Sequence, residues 1–225
     1  MTYIENLTLK QKKAIALIKK ALIKQGITSD FMIAAICAVI SKESNFTPKS
    51  EKGYANTSND RIRSIFGNRV AALSEKELTY IKADPEQFFN LIYGGRYGNE
   101  ANEGYKYIGR GFNQLTFKSN YQAMLQYTTT DIVSSPDLLN ELGVAAEVVV
   151  GFFLKNFHSN ANKLDQYGIV DINNAPSLDA ATGAAYHANT GWGKSLAEVK
   201  EDRTGGRKLA FERVGDLLEY IKQIV

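Results

Sequence analysis

Two glutamates near the end of the most apolar segment of the chain, Glu43 and Glu51, could form an acid and base pair. Glu43 ends a predicted apolar helix, where hydrophobic surface and the negative end of the helix dipole both favour a neutral carboxyl group. Glu51 follows Pro48 in a polar stretch, where water and Lys49 or Lys52 would keep its carboxylate ionised. We therefore expect a neutral acid and a charged base.

Hydrolysis of a glycosidic bond uses such a pair. In the inverting form of the reaction the two carboxyl groups stand about 6.5–9.5 Å apart, which leaves room for the attacking water. A turn after Pro48 could hold Glu43 and Glu51 at this separation. The alternative from these residues alone is two solvated glutamates at a helix end with no catalytic part.

A second stretch with unusual composition runs from Gly104 to Tyr121 and reads GYKYIGRGFNQLTFKSNY. Gly109 and Gly111 allow positive φ and the close approach of a ligand or another segment. Gln114 and Thr116 alternate with apolar residues, which predicts a short strand with one polar face. We interpret the stretch as the floor of an active-site cleft, and the alternative is a glycine-rich turn before an edge strand.

Hydrophobic periodicity predicts that helices position these residues. The first is amphipathic and is expected to pack on the core, with a membrane surface as the alternative. The second is apolar nearly all round and is expected to be the buried central helix. The predicted helices cover residues 8–24, 29–44, 60–66, 74–82, 85–93, 120–126, 141–157, 179–187 and 209–224.

Composition excludes several other functions. The 225 residues are 44% hydrophobic, enough for one domain or two tightly joined lobes. A net charge of +3 without a long basic run does not argue for a nucleic-acid partner. Cys37 has no second cysteine to pair with and lies in an apolar run, so we interpret it as a buried small hydrophobe. His158 and His187 have no companion ligands in the sequence, and no metal or cofactor is expected.

The N-terminal residues contain no apolar core typical of a secretory signal. The longest apolar run, residues 31–40, is too short to span a bilayer. We therefore expect synthesis in the cytosol without stable membrane insertion, and release or delivery by another route for any action outside.

Several motifs in a fixed order resemble the catalytic domain of glycoside hydrolase family 19, especially its compact phage endolysin and bacterial branch. The family run Y-x-G-R-G-x-x-Q-[LIV]-[ST], followed closely by N-Y, appears from Tyr107 to Tyr121. The E-S-x-x-F pattern corresponds to Glu43, Ser44 and Phe46 with one residue fewer. The other matches are P-E…Y-G-G-R-x-G-N at residues 85–99, SPDL at residues 135–138 and the N-x-G turn that starts at Asn189.

The resemblance implies roles for individual residues. Glu43 corresponds to the general acid, Glu51 to the general base and Thr116 to the hydroxyl that helps hold the attacking water. Trp192 either stacks on a sugar or supports the turn from beneath. The sugar-binding positions are expected at Tyr107, Arg110, Gln114, Asn120, Tyr121 and Asn189.

The sequence also departs from the family pattern. Lys42 stands where the family often has histidine, and its ammonium group would weaken Glu43 as an acid unless it points away. The spacing between Glu43 and Glu51 is shorter than in the plant chitinases. Residues 194–206 look like an insertion, and their charges predict a solvated loop.

The fold implied is mainly α, a lysozyme-like two-lobed helical domain with a small β/loop region lining the cleft. Residues 1–225 would form a single catalytic domain on which residues 1–28 pack, without a separate wall-binding module. The first functional hypothesis is a monomeric, inverting, peptidoglycan-degrading glycosidase of the endolysin type. A chitinase acting on N-acetylglucosamine polymers is the second, and a catalytically inactive sugar-binding module is the third.

Overall fold

The structure is a computed structural model that describes residues 2–202 and 205–224. Over these residues the chain folds almost entirely into α-helices, and the only β pairing described is an isolated bridge between Arg110 and Leu115. The mainly α fold class is therefore confirmed. The helices are α1 Leu9–Lys24, α2 Asp30–Ser44, α3 Asn59–Phe66, α4 Glu75–Ala83, α5 Pro85–Tyr93, α6 Lys118–Met124, α7 Leu142–Ser159, α8 Ala161–Leu164, α9 Leu178–Asn189, α10 Leu196–Lys200 and α11 Gly206–Gln223.

The chain divides into two compact units. One comprises Met1–Pro48 together with Glu141–Val225, and we call it the terminal unit. The other comprises Lys49–Asn140, and we call it the central unit. Glu43 belongs to the terminal unit and Glu51 to the central unit.

The terminal unit is organised around α2, as its apolar sequence predicts. Ser29 caps the helix by accepting a hydrogen bond from the backbone N–H of Met32. The residues from Met32 to Ile40 are at most 2% exposed, and α2 packs against α9 and α11. Asn45 takes a left-handed conformation that ends the helix directly after Glu43 and Ser44.

The remaining helices of the terminal unit cover this core. Thr8 begins α1 with a capping box shared with Gln11, and the apolar side of α1 packs on α7.

Cys37 is fully buried, and burial raises the pKa of its thiol to about 12. It is therefore a small core residue, as the sequence indicates.

The central unit has an aromatic core between α3, α4 and α5. Asp84 caps α5 by accepting from two backbone N–H groups, and Pro85 occupies its first position. This helix directs Phe88, Phe89 and Ile92 into the core. The other buried members of the cluster are Ile62, Val70, Leu78 and Ile108.

Two local predictions are wrong. The strand predicted around Gln114 and Thr116 does not form, because Gln114 and Phe117 both have positive φ, which an extended strand does not allow. Residues 194–206 are not simply a solvated loop: a capping box between Ser195 and Glu198 starts α10, and Val199 is buried. Residues 203 and 204 of this segment lie outside the described part of the chain.

Over the described ranges, no helix combines the length and the hydrophobicity that a membrane crossing requires.

Candidate active site

Glu51 is held by hydrogen-bond donors that are all uncharged. The hydroxyl of Tyr93 lies 3.1 Å from each carboxylate oxygen, and the hydroxyl of Tyr54 lies 3.1 Å from Oε1. The backbone N–H of Gly109 donates to Oε2 at 3.4 Å, and the backbone N–H of Glu51 donates to the carbonyl of Gly109 at 2.7 Å. The carboxylate is therefore fixed from three sides.

The aromatic core of the central unit positions the two phenols. Tyr93, the last residue of α5, stacks on Phe89 with ring centroids 5.7 Å apart. Tyr54 packs against Phe66 and Phe88, with both centroid distances 5.2 Å. Because both rings pack against the aromatic core of the central unit, their hydroxyl groups have little freedom to leave Glu51.

Burial is the main cause of the shift in the pKa of Glu51. Partial burial raises the pKa of Glu51 above its ordinary value, and the hydrogen bonds from Tyr93, Gly109 and Tyr54 oppose the rise only in part. Burial and the nearby carboxylate also raise the pKa of Tyr93, and they raise that of Tyr54 to about 12, so both phenols stay protonated donors. The predicted surroundings of Glu51, an open polar loop with water and lysines, are therefore wrong, whereas its ionised state stays a prediction.

Gly109 connects Glu51 to the predicted water-holding hydroxyl. A Cβ atom at this position would lie 3.1 Å from Gln114 Oε1 and 3.3 Å from Thr116 Oγ1. Glycine at 109 allows the side chains of Gln114 and Thr116 to approach the backbone closely. Glycine at 111 allows a backbone φ of +79°, which other residues rarely adopt. Glu51, Gln114 and Thr116 all adjoin Gly109, so the structure brings these three predicted site residues together.

Three polar side chains, two from this loop and one from the first turn of α6, remain at least partly accessible. Thr116 donates its hydroxyl hydrogen to the carbonyl of Gln114 at 2.9 Å, and Gln114 Nε2 donates to the carbonyl of Lys49 at 2.8 Å. Asn120 is exposed and donates to the carbonyl of Thr116 at 2.8 Å. The predicted sugar contacts of Gln114 and Asn120 stay predictions, since both side chains reach the surface of the central unit.

Three other predicted sugar-binding residues are buried instead, and that prediction is corrected. Arg110 is 5% exposed and pairs with Asp137 at 2.9 Å. The hydroxyl groups of Tyr107 and Tyr121 donate to backbone carbonyls at 3.1 and 2.9 Å, and both rings are at most 1% exposed. These side chains are built into the interior, where they hold the loop that carries Gly109.

Glu43 has different surroundings in the terminal unit. Its Oε1 accepts from Lys42 Nζ at 2.9 Å and from Asn189 Nδ2 at 2.8 Å. The ammonium group of Lys42 therefore points toward the carboxyl group and not away from it, which is the arrangement that the sequence predicts would weaken Glu43 as an acid. Asn189, which the sequence predicts as a sugar-binding residue, contacts the predicted acid directly, and its contact with sugar stays a prediction.

Trp192 is structural rather than a stacking platform in this structure. It is 6% exposed, and its indole N–H donates to the carbonyl of Asn156 at 3.0 Å. His187 lies beside it with ring centroids 4.5 Å apart, and burial lowers the pKa of His187. The ring therefore supports the turn after α9, and the alternative of sugar stacking is corrected.

The parts played by Tyr54 and Tyr93 are not predicted from the sequence. Tyr93 belongs to a motif that was recognised, but its spacing of 42 residues from Glu51 gives no local sign of contact. Tyr54 is three residues from Glu51, a spacing that carries information only on a helix. The contact depends on tertiary structure, because the packing of α5 brings the phenol of Tyr93 to Glu51.

Comparison with protein-family models gives no match to this chain. A curated protein of Haemophilus influenzae (strain ATCC 51907 / DSM 11121 / KW20 / Rd), described as a glycosyl hydrolase family 19 domain-containing protein, is 35% identical over 72 residues. The matching segment covers 31% of this chain and 36% of the relative. The chain thus shares a partial similarity with a glycoside hydrolase family 19 protein, which supports a relationship to glycosidases.

Proposed function

We propose that this protein is a peptidoglycan-degrading glycosidase that cleaves β-1,4 linkages between amino sugars with inversion at the anomeric carbon. Glu43 would act as the general acid and Glu51 as the general base, with Thr116 helping to hold the attacking water. The partial similarity to a glycosyl hydrolase family 19 domain-containing protein supports the reaction class. The choice of peptidoglycan follows from the resemblance to the endolysin branch.

The observation that carries the proposal is the environment of Glu51. A general base works best when its pKa lies near the working pH, because it then combines the correct protonation state with a strong tendency to take a proton. Burial moves the pKa of Glu51 in this direction, while Tyr54 and Tyr93 fix the orientation of its carboxylate. A solvated surface glutamate would need neither feature.

The reaction would run in one displacement. Glu51 takes a proton from water as the water oxygen attacks the anomeric carbon, and Glu43 gives a proton to the leaving glycosidic oxygen as the carbon–oxygen bond breaks. One carboxylate gains a proton and one carboxylic acid loses one, so the charges balance. Exchange of protons with solvent then restores both groups.

The test is digestion of purified peptidoglycan and of chitin oligomers, with mass spectrometry of the fragments. Peptidoglycan fragments with a new reducing-end amino sugar are expected, with little cleavage of chitin oligomers. Glu43→Gln and Glu51→Gln should each abolish the fragments, whereas Glu86→Gln, an exposed residue of α5, serves as the matched control and should cleave normally.

Other fragment patterns would contradict the proposal. Cleavage of chitin oligomers but not peptidoglycan would identify a chitinase. Binding of either polymer without new reducing ends would identify an inactive sugar-binding module. Fragments released at an amide or peptide bond would exclude a glycosidase altogether.

A further inference from the structure

Lys42, which is ion-paired with Glu43, lies close to the beginning of α11. The two side chains form an ion pair at 2.9 Å and are 27% and 28% exposed, so the contact lies largely out of bulk water. Gly206, the first residue of α11, packs on the other side of the lysine. A Cβ atom at 206 would overlap Lys42 Cε and lie 3.0 Å from Lys42 Nζ. Only glycine at position 206 leaves room for the observed conformation of the Lys42 side chain.

The backbone around Gly206 is fixed by a small polar network. Asp202 Oδ2 accepts from the hydroxyl of Tyr186 at 2.9 Å and from the backbone N–H of Arg207 at 2.8 Å. A Cβ atom at Gly206 would also stand 3.2 Å from the Tyr186 hydroxyl oxygen. Because Tyr186 belongs to the buried helix α9, the start of α11 has little room to move away from an added methyl group.

Both donors to Glu43 contact the same oxygen. Lys42 and Asn189 each donate a hydrogen bond to Oε1, and over the described residues neither donates one to Oε2. In a protonated carboxyl group, the oxygen that accepts two N–H donors is the carbonyl oxygen, so the acidic hydrogen is carried by the other oxygen. After proton transfer, the ammonium group of Lys42 pairs with the carboxylate that remains.

We propose that Lys42 is a positioning residue that directs the acidic hydrogen of Glu43 onto Oε2, and that Gly206 keeps Lys42 in place. This inference rests on the proposed function, because it assigns an orientation to the proposed acid. It also makes Gly206 important for turnover although α11 carries no part of the proposed chemistry.

The test compares Lys42→Met, Gly206→Ala, the double variant and wild type in a kinetic cycle on peptidoglycan. Lys42→Met should lower kcat about tenfold with little change in KM, because in this proposal loss of the acid's orientation outweighs relief from the weakening that the neighbouring ammonium group is expected to cause. Gly206→Ala should lower kcat by a similar factor, because the methyl group displaces the flexible end of the lysine. The double variant should be no worse than Lys42→Met alone, because both changes act on one contact.

Gly215→Ala is the matched control, since it lies on the same helix and a Cβ atom there meets nothing within 4 Å. It should leave kcat unchanged. Normal kcat in Gly206→Ala, or losses that multiply in the double variant, would overturn the inference. If Glu43→Gln is inactive but Lys42→Met and Gly206→Ala have normal kcat, the inference is overturned and the proposed function stands. If Glu43→Gln is active, the proposed function itself is refuted.

A spectroscopic measurement tests the contact without using activity. The ammonium group of an ion-paired, shielded lysine exchanges hydrogen slowly with water and gives an observable ¹H–¹⁵N signal. This signal should be lost in Lys42→Met, should shift in Gly206→Ala and Glu43→Gln, and should be unchanged in Gly215→Ala. An unchanged signal in Gly206→Ala would show that Gly206 does not hold the lysine.

Discussion

The two candidate catalytic carboxyl groups differ most in the charge of their partners. Glu51 in the central unit is held by two phenols and a backbone amide, whereas Glu43 in the terminal unit is held by an ammonium group and a side-chain amide. Neutral donors fix the orientation of Glu51 without cancelling the cost of burying its charge, so its pKa stays raised. The difference teaches that uncharged donors can fix the orientation of a partly buried carboxylate while burial still sets the direction of its pKa shift.

The largest effect is expected from removing the acid itself. Glu43→Gln keeps the shape and the hydrogen bond from Asn189 but carries no transferable acidic proton, so kcat on peptidoglycan should fall about 10³-fold. Thermal unfolding and sugar binding should change little, because the amide is nearly isosteric. Turnover within a few-fold of wild type would mean that the terminal unit does not supply the acid.

The next largest effect is expected at the glycine that joins Glu51 to Thr116. Gly109→Ala would place a methyl group 3.3 Å from Thr116 Oγ1 and 3.1 Å from Gln114 Oε1, which forces those side chains away. We expect kcat to fall about tenfold, because even a small displacement disturbs the geometry of the reacting groups. Gly143→Ala, where an added Cβ atom meets open space, is the control. Equal kcat values for Gly109→Ala and Gly143→Ala would show that Thr116 takes no part in the reaction.

A smaller, pH-dependent effect is expected from the phenols. Tyr93→Phe removes hydrogen bonds that favour the Glu51 carboxylate, so the pKa of Glu51 should rise further. Since the base must be deprotonated, activity is lost as pH falls through this pKa, and the acidic limb of the kcat/KM profile should move to higher pH. Tyr54→Phe should move the limb less, because Tyr54 contributes a smaller share. Tyr80→Phe, at a side chain that is 73% exposed, is the control. An unmoved acidic limb in Tyr93→Phe would show that Glu51 does not control the profile.

The smallest effect concerns stability. Because the pKa of Glu51 is raised in the folded state, wild type loses stability as pH rises from the ordinary glutamate pKa through the raised value, where burial of the charge is unfavourable. Glu51→Gln does not titrate, so its stability relative to wild type should increase between about pH 4 and about pH 7. Urea unfolding at both pH values measures this difference. A difference independent of pH would mean that Glu51 ionises as freely in the folded protein as in the unfolded chain.

The sequence predicts most of the helical framework because the relevant signals are local. The cap at Ser29, the apolar run before Glu43 and the proline at the start of α5 each act within a few residues. The short helix α10 was missed because its capping box lies in a charged segment that resembles a solvated loop. Local patterns therefore predict long helices better than they predict short ones in charged segments.

The surroundings of the candidate residues depend on contacts between distant segments, and these the sequence does not reveal. Lysines adjacent to Glu51 suggested an ionised base, but Tyr93 reaches it from 42 residues away. Alternation around Gln114 and Thr116 suggested a strand, but two positive φ angles make a turn. The motif that contains Arg110 was recognised correctly as special, although its arginine holds the loop from inside.

Chemical rescue tests the central assignment of acid and base most directly. Azide attacks the anomeric carbon without needing a base, so it should restore cleavage to Glu51→Ala and yield a glycosyl azide of inverted configuration, as read by ¹H NMR. Glu43→Ala should gain nothing from azide on peptidoglycan, because its leaving group still lacks a proton donor. Rescue of Glu43→Ala instead, or an azide product of retained configuration, would contradict the account.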